Sequence, residues 1–180
     1  MTPSAASSRF EAKLLRPVES EKGARWAFVI LPKVASATLP RRGRTTIEGT
    51  INDQGFQSTL EPDGQLRHWL TVDAPLLEAA GVGFGDTVSF EIRPVEQEPE
   101  PELPGALAAS PPARAGWDDT TTLARLDWIH WITSAKQAKT RAQRVQNACE
   151  MLGSAKRRVC CFDPSGYYSK AFSAPKAANE

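Results

Sequence analysis

The chain has 180 residues, with 22 Lys and Arg against 21 Asp and Glu, for a net charge of +1. That length supports one or two small domains with real cores, and the charge balance excludes a strong global attraction to nucleic acid or membrane. No apolar run is long enough to span a bilayer, and the opening MTPSAASSRF lacks the basic-then-apolar order of a secretory signal. Three cysteines, Cys149 and the adjacent Cys160 and Cys161, fit a reduced, cytoplasmic chain better than a disulfide framework.

Residues 1–8 are small and polar and read as a disordered N-terminus. A β-barrel domain is expected over residues 9–95. Phe10, Ala12 and Leu14 alternate with polar neighbours, as in a half-buried strand. A Glu-Ser-Glu-Lys-Gly turn at 19–23 leads to residues 26–31, a strand of aromatic and β-branched residues ended by Pro32. Residues 45–51 and 56–60 are two more strands, joined through Asn52, Asp53 and Gly55. Pro62, Asp63 and Gly64 mark the next turn before a strand at 66–72. Residues 75–80 predict one short helix, capped by Asp73 with Pro75 near its first position. A Gly85-Asp86 turn then opens the last strand, 87–93.

Two stretches of this domain repeat. Trp26, Pro32, Gly43 and the strand at 45–51 match Trp69, Pro75, Gly85 and the strand at 87–92 in order and nearly in spacing. Neither half would bury its face or satisfy its strand edges alone, so the pattern predicts a pseudo-twofold barrel. The second half, LTVDAPLLEAAGVGFGDTVSFEI, resembles the half-barrel of AbrB-type and MazE-type regulators, which build a double-split barrel from two chains and bind DNA. Here both halves sit in one chain, so the resemblance bears on fold more than on activity.

Residues 96–116 are rich in Pro, Glu, Ala and Ser, and carry Glu96, Glu98, Glu100 and Glu102 with no base among them. This reads as an acidic linker, stiffened by proline, with room for a helical turn or two at 103–109. Residues 117–153 predict a helical hairpin. Leu123, Leu126, Ile129 and Ile132 recur at spacings of three and four, flanked by Trp128, Trp131 and Ala135, and Thr120 to Thr122 supply candidate N-caps. Ala142, Val145, Cys149 and Leu152 line a second helix, with Gly153 placed to end it. Residues 154–180 form a basic, aromatic tail that Phe162, Tyr167, Tyr168 and Phe172 would anchor.

The string WITSAKQAKTRAQRVQNACEMLGSAKR resembles the C-terminal segment of the bacterial YdeI/OmpD-associated, or bacteriocin-protection, family. Trp131, Ile132, Ala135, Lys136, Thr140, Arg141 and Arg144 match that family's Trp-Ile-x-x-Ala-Lys and Thr-Arg-x-x-Arg pattern. Ala138 departs from the acidic or proline-containing spacer common there. The N-terminal part resembles the domain of unknown function often fused to that segment, through FVILP, the Arg42-Gly43 turn and the Gly85-Asp86 turn. The resemblance covers residues 10 to 158 and implies a part in resistance to bacterial toxins, without catalytic residues to transfer.

Charge is segregated along the chain. Between residues 133 and 158, seven basic side chains oppose Glu150 alone. The candidate site is the helix joint, where Lys136, Lys139, Thr140, Arg141 and Arg144 would gather. If Thr140 caps the second helix, first-turn N–H groups point outward among basic side chains, an arrangement that suits a phosphate or carboxylate. The competing expectation is that these arginines pair with acids of the barrel and pin the hairpin to it. Arg41, Arg42 and Arg44 form a secondary basic loop.

His68 and His130 sit beside tryptophans in apolar runs and read as packed side chains, and Cys149 as core. The cysteines and histidines lack paired ligand spacing, so neither metal nor cofactor is expected. No nucleophile elbow, phosphate-binding glycine loop or carboxylate pair marks a catalytic residue. The sequence therefore reads as a non-catalytic binding or regulatory module whose partner is an anionic ligand, an acidic protein or nucleic acid. The alternative is an enzyme acting on an anionic small molecule between barrel and hairpin, or a weak nucleic-acid binder. The acidic linker would compete for the basic joint.

Overall fold

A computed structural model describes residues 6–18, 25–159 and 162–178. The expected 19–23 turn, the first five residues and the Cys160-Cys161 pair lie outside the described residues. The chain forms two compact units, residues 1–97 with 165–180, and residues 98–164.

The first unit is a mainly β, six-stranded antiparallel sheet: β1 Ser8–Lys13, β2 Ala27–Ile30, β3 Thr45–Ile51, β4 Gln54–Pro62, β5 His68–Val72 and β6 Thr87–Pro94. Neighbours run β1-β6-β3-β4-β5-β2, and a bridge between Leu15 and Phe28 brings the end of β1 back to β2, nearly closing the sheet into a barrel. Exchanging β1 with β4, β2 with β5 and β3 with β6 leaves this order of neighbours unchanged. The repeat read from the tryptophans, prolines and glycines is thus a topological twofold.

Alternation decides which residues fill the barrel. Ile47, Ile51, Leu60, Leu70, Val72, Val88, Phe90 and Ile92 are buried in one cluster, while the residues between them face out. On the outer face, register partners pair by charge: Arg9 with Glu91 at 3.1 Å and Arg93 with Glu48 at 2.6 Å. Asn52 and Asp53 turn β3 into β4 with φ of 45° and 66°, a left-handed pair that Asn and Asp tolerate better than most residues.

Two short helices occupy equivalent places in the halves. The expected one, α2 (Ala74–Ala80), is capped by Asp73, whose Oδ1 accepts from Leu76 N at 3.0 Å, and it ends on Gly81 at φ 68°. The other, α1 (Lys33–Ala37), follows Pro32, where only a connection was expected. The strand foreseen from Leu66 begins later, because Leu66 itself sits at φ 63° in the preceding turn.

The second unit holds α3 Gly105–Ala108, α4 Pro111–Asp118, α5 Thr122–Thr133 and α6 Ala138–Gly153. Residues 105–116, the latter part of the expected 96–116 linker, are thus largely helical. Pro111 and Pro112 take the first helical positions, where a missing N–H costs nothing. The main neighbour of α6 is α4, with α5 a lesser one. Leu107, Ala113, Trp117, Trp128, Ile132, Ala148 and Leu152 form the core between the helices. Gly116 permits the closest approach, since a Cβ there would strike the backbone of Leu152.

Two details depart from the hairpin expected. Leu123 is exposed, and α5 instead turns Trp128, His130 and Ile132 inward. Gly153 stays within α6. The left-handed residue is Ala155 at φ 69°, with Lys156 N donating to Met151 O at 3.0 Å in the closing loop.

Candidate functional site

The joint between α5 and α6 is three residues of turn followed by an extended Gln137, which is the N-cap of α6. Thr140, expected at that cap, is instead the third residue of the helix, and Gln137 makes no capping side-chain hydrogen bond. Thr121 caps α5, accepting from Ala124 N at 3.2 Å, as the threonine run suggested.

The structure gathers Arg141 and Arg144 on the joint, where both donate backward, Arg141 to the joint itself and Arg144 to the last turn of α5. Arg141 Nη1 donates to Ala135 O at 2.7 Å and to Lys136 O at 3.0 Å. Arg144 Nη1 donates to Trp131 O and, at 3.3 Å, to Ser134 Oγ, and its guanidinium lies 5.3 Å from the Trp131 ring centroid. Arg144 therefore serves a last-turn carbonyl of α5, and Arg141 serves the carbonyls of the joint that follows it. Neither forms an ion pair among the described residues. Lys136, Lys139 and Thr140 are exposed beside them.

Electrostatically this arrangement is unusual. Carbonyls are neutral, so the charges of Arg141 and Arg144 are not cancelled by the groups they bind. No acidic residue lies in the first turn of α6, where the helix dipole favours negative charge. Elsewhere arginines meet carboxylates: Arg44 with Glu61 at 2.8 Å, Arg67 with Asp63 at 2.9 Å and Arg157 with Asp119 at 2.8 Å.

The acidic stretch does not supply the missing counter-charge through Glu100. That carboxylate accepts from Thr122 Oγ1 and from Arg125 Nη1, the latter at 2.9 Å. The Thr122 hydrogen bond first, and then Arg125, hold the Glu100 carboxyl below its ordinary range. Arg125, which the sequence did not single out, ties this corner together. Its Nε donates to Trp117 O at 3.0 Å and Thr120 Oγ1 at 3.2 Å, and its Nη2 to Asp118 O at 3.0 Å.

Residues 10–92 match the family described as Domain of unknown function (DUF1905), and residues 98–154 match that described as Bacteriocin-protection, YdeI or OmpD-Associated. The chain carries a DUF1905 domain followed by a YdeI/OmpD-associated domain. Its YdeI/OmpD-associated domain contains all of α3 to α6, so the helices at 105–118 are part of the matched segment, and the DUF1905 domain is the barrel. The family name is consistent with a role in bacteriocin protection or stress. No curated protein matches the chain.

The remaining candidates are committed to structure. In the DUF1905 domain, Arg44 pairs with Glu61, and Arg42 Nη1 donates to Leu66 O at 2.9 Å, steadying that left-handed turn. The loop of Arg41, Arg42 and Arg44 and the joint cluster belong to separate units. His68 is fully buried. Its Nδ1 lies 3.3 Å from Ser36 Oγ and its Nε2 3.0 Å from Gly43 O, while its backbone N–H donates to the same Ser36 Oγ at 3.0 Å. Burial lowers its pKa, against the raising effects of Gly43 O and Asp63. His130 is buried edge-on to Phe162, with ring centroids 5.2 Å apart. Cys149 is partly buried against the helical core, and desolvation raises its thiol pKa. No helix among the described residues is long and apolar enough to cross a membrane.

Proposed function

We propose that the YdeI/OmpD-associated domain is a non-catalytic binding module that takes an anionic partner at the α5–α6 joint. One observation carries this reading. Lys136, Lys139, Arg141 and Arg144 all lie in the joint or the first two turns of α6, and no carboxylate among the described residues pairs with any of them. Like charges beside the positive end of a helix dipole repel it, at roughly 0.3–1 kcal/mol each when exposed. An anion docked there relieves that repulsion and meets first-turn N–H groups as well as side chains. Arg141 and Arg144 give the site a fixed wall, because their guanidinium groups are held by carbonyls of the joint and of the last turn of α5. Lys136 and Lys139 are exposed and supply charge without a structural commitment.

The experiment is a titration with a short polyphosphate at low salt, followed by amide NMR. Shifts should concentrate at Ala138, Lys139 and Thr140 and fade as salt is raised. Shifts scattered over the barrel, or none at the joint, would reject the site. A part in bacteriocin protection follows if the anionic partner belongs to the toxin or its entry route.

A further inference from the structure

The C-terminal segment returns to the barrel unit and completes one of its strands. Beyond Lys13 the chain continues extended past the start of β6. Leu14 pairs with the Gly85-Asp86 turn through Leu14 N to Asp86 O and Gly85 N to Leu14 O, both at 2.8 Å. Leu15 faces the opposite edge and exchanges hydrogen bonds with Phe28 of β2 at 2.9 and 3.0 Å. Alternation turns Arg16 and Val18 to the same edge as Leu14, but β6 begins only at Thr87 and has nothing to offer them. Pro17 faces the β2 side and lacks an N–H, which ends that ladder.

The tail fills the vacated edge. Val18 N donates to Lys176 O at 2.9 Å, Ala178 N donates to Arg16 O at 2.7 Å, and Pro17 bridges Ala177 in antiparallel register. Earlier in the tail, Phe172 sits between two left-handed glycines. A Cβ on Gly64 would strike its carbonyl, and a Cβ on Gly166 would strike its ring. The seat is therefore shaped for this segment, yet the strand it adds is only three residues long. Tyr168, Ser173, Lys176 and Ala177 remain exposed along it. So short a ladder at a chain end places the pairing at the low end of local stability.

We propose that residues 16–18, with Gly64, form a strand-addition site for the segment 165–178 of a second copy, filled in the isolated chain by its own tail. A terminal element that docks through so short a backbone ladder exchanges between identical chains without needing any new surface, and each copy then completes the other's barrel edge. The tail's high local concentration, of millimolar order for a short tether, keeps dilute protein closed.

Complementary full-length variants test this. Ala178→Pro removes the tail's donor and leaves the edge intact; Val18→Pro removes the edge's donor and leaves the tail intact. Circular dichroism first establishes that both are folded. Each alone should sediment as a monomer, and in Ala178→Pro the Val18 amide should exchange about tenfold or more faster than in the parent chain. Mixed at several hundred micromolar, on the order of the tether's effective concentration, they should form a heterodimer in which Val18 protection returns. If a variant fails to fold, the parent chain is titrated with a synthetic peptide of residues 165–178, which should perturb the Val18 amide, whereas its Phe172→Ala form should not. Monomers only in the mixture, unchanged Val18 exchange in Ala178→Pro, or equal effects of the two peptides would overturn the proposal.

Discussion

Substituting Gly116 by alanine is a test in which two known effects oppose each other. In an exposed helix interior, glycine to alanine is favourable by about 0.8–1 kcal/mol through backbone entropy. At Gly116 the added Cβ would collide with the carbonyl of Leu152, a backbone atom of α6 that no rotamer change can move. Forcing one methyl group into such a contact costs about 1–3 kcal/mol; against a backbone atom the clash should win, and net of the entropic gain Gly116→Ala should be destabilising by up to about 2 kcal/mol. For a domain of 60–100 residues that lowers Tm by about 4–8 °C per kcal/mol. Gly153, on the partner helix of the same contact, provides the control. A Cβ there meets Pro112 Cβ at 3.4 Å, the start of ordinary contact. Gly153→Ala should therefore be neutral or stabilising. Differential scanning calorimetry of both variants reads the two signs directly. A stabilised Gly116→Ala would mean that α4 does not rest on α6, returning residues 105–116 to the role of a linker.

Two further outcomes concern the barrel. Burial holds the folded-state pKa of His68 below its unfolded value, so the unfolded chain binds a proton that the folded chain refuses. Stability from neutral His68 is thus complete above about pH 6.5 and declines as pH falls through that window. Urea midpoints between pH 7.5 and 5.5 should fall for the parent chain and fall less steeply for His68→Gln; parallel slopes would contradict the assignment. In the β3–β4 turn, Asp53 at φ 66° gives way well to glycine, and Asp53→Gly should raise stability by about 0.5–1 kcal/mol in the same assay. A loss of stability would show that the Asp53 side chain contributes more than its backbone strain costs.

Where local chemistry governs the backbone, sequence and structure agree. Asn52 and Asp53, the Asp73 cap and the alternation of Ile47 to Ile51 each carry their own reason, so strands, turns and α2 were legible. Helix α1 was not, because five residues after Pro32 are too few to show a period, although the repeat places it opposite α2. Helix α4 was hidden by its composition: Pro-Pro-Ala-Arg-Ala-Gly resembles a tether until the prolines are seen at the first turn and Gly116 at a close crossing. At the joint, the basic residues were legible as a cluster but their geometry was not. Arg141 and Arg144 reach carbonyls of Ala135, Lys136 and Trp131, and a carbonyl acceptor leaves no mark in a sequence. The tail's return to Arg16 and Val18 is written in backbone hydrogen bonds for the same reason.

The central claim, that uncancelled charge at the α5–α6 joint binds an anion, is most directly tested by placing charge reversal where nothing else changes. Lys136→Glu/Lys139→Glu alters two exposed side chains at the joint, and Lys33→Glu/Arg25→Glu makes the same change in net charge at exposed positions of the barrel. Polyphosphate affinity is then measured as a function of salt for both variants and the parent. Each lost phosphate contact lowers the slope of log K against log[salt] by roughly 0.7–0.9, going by the nucleic-acid values. The joint variant should therefore bind more weakly at low salt, with a slope smaller by about 1.4–1.8, while the barrel variant follows the parent. Equal losses in both variants would mean that only overall charge matters and that the joint is not a site.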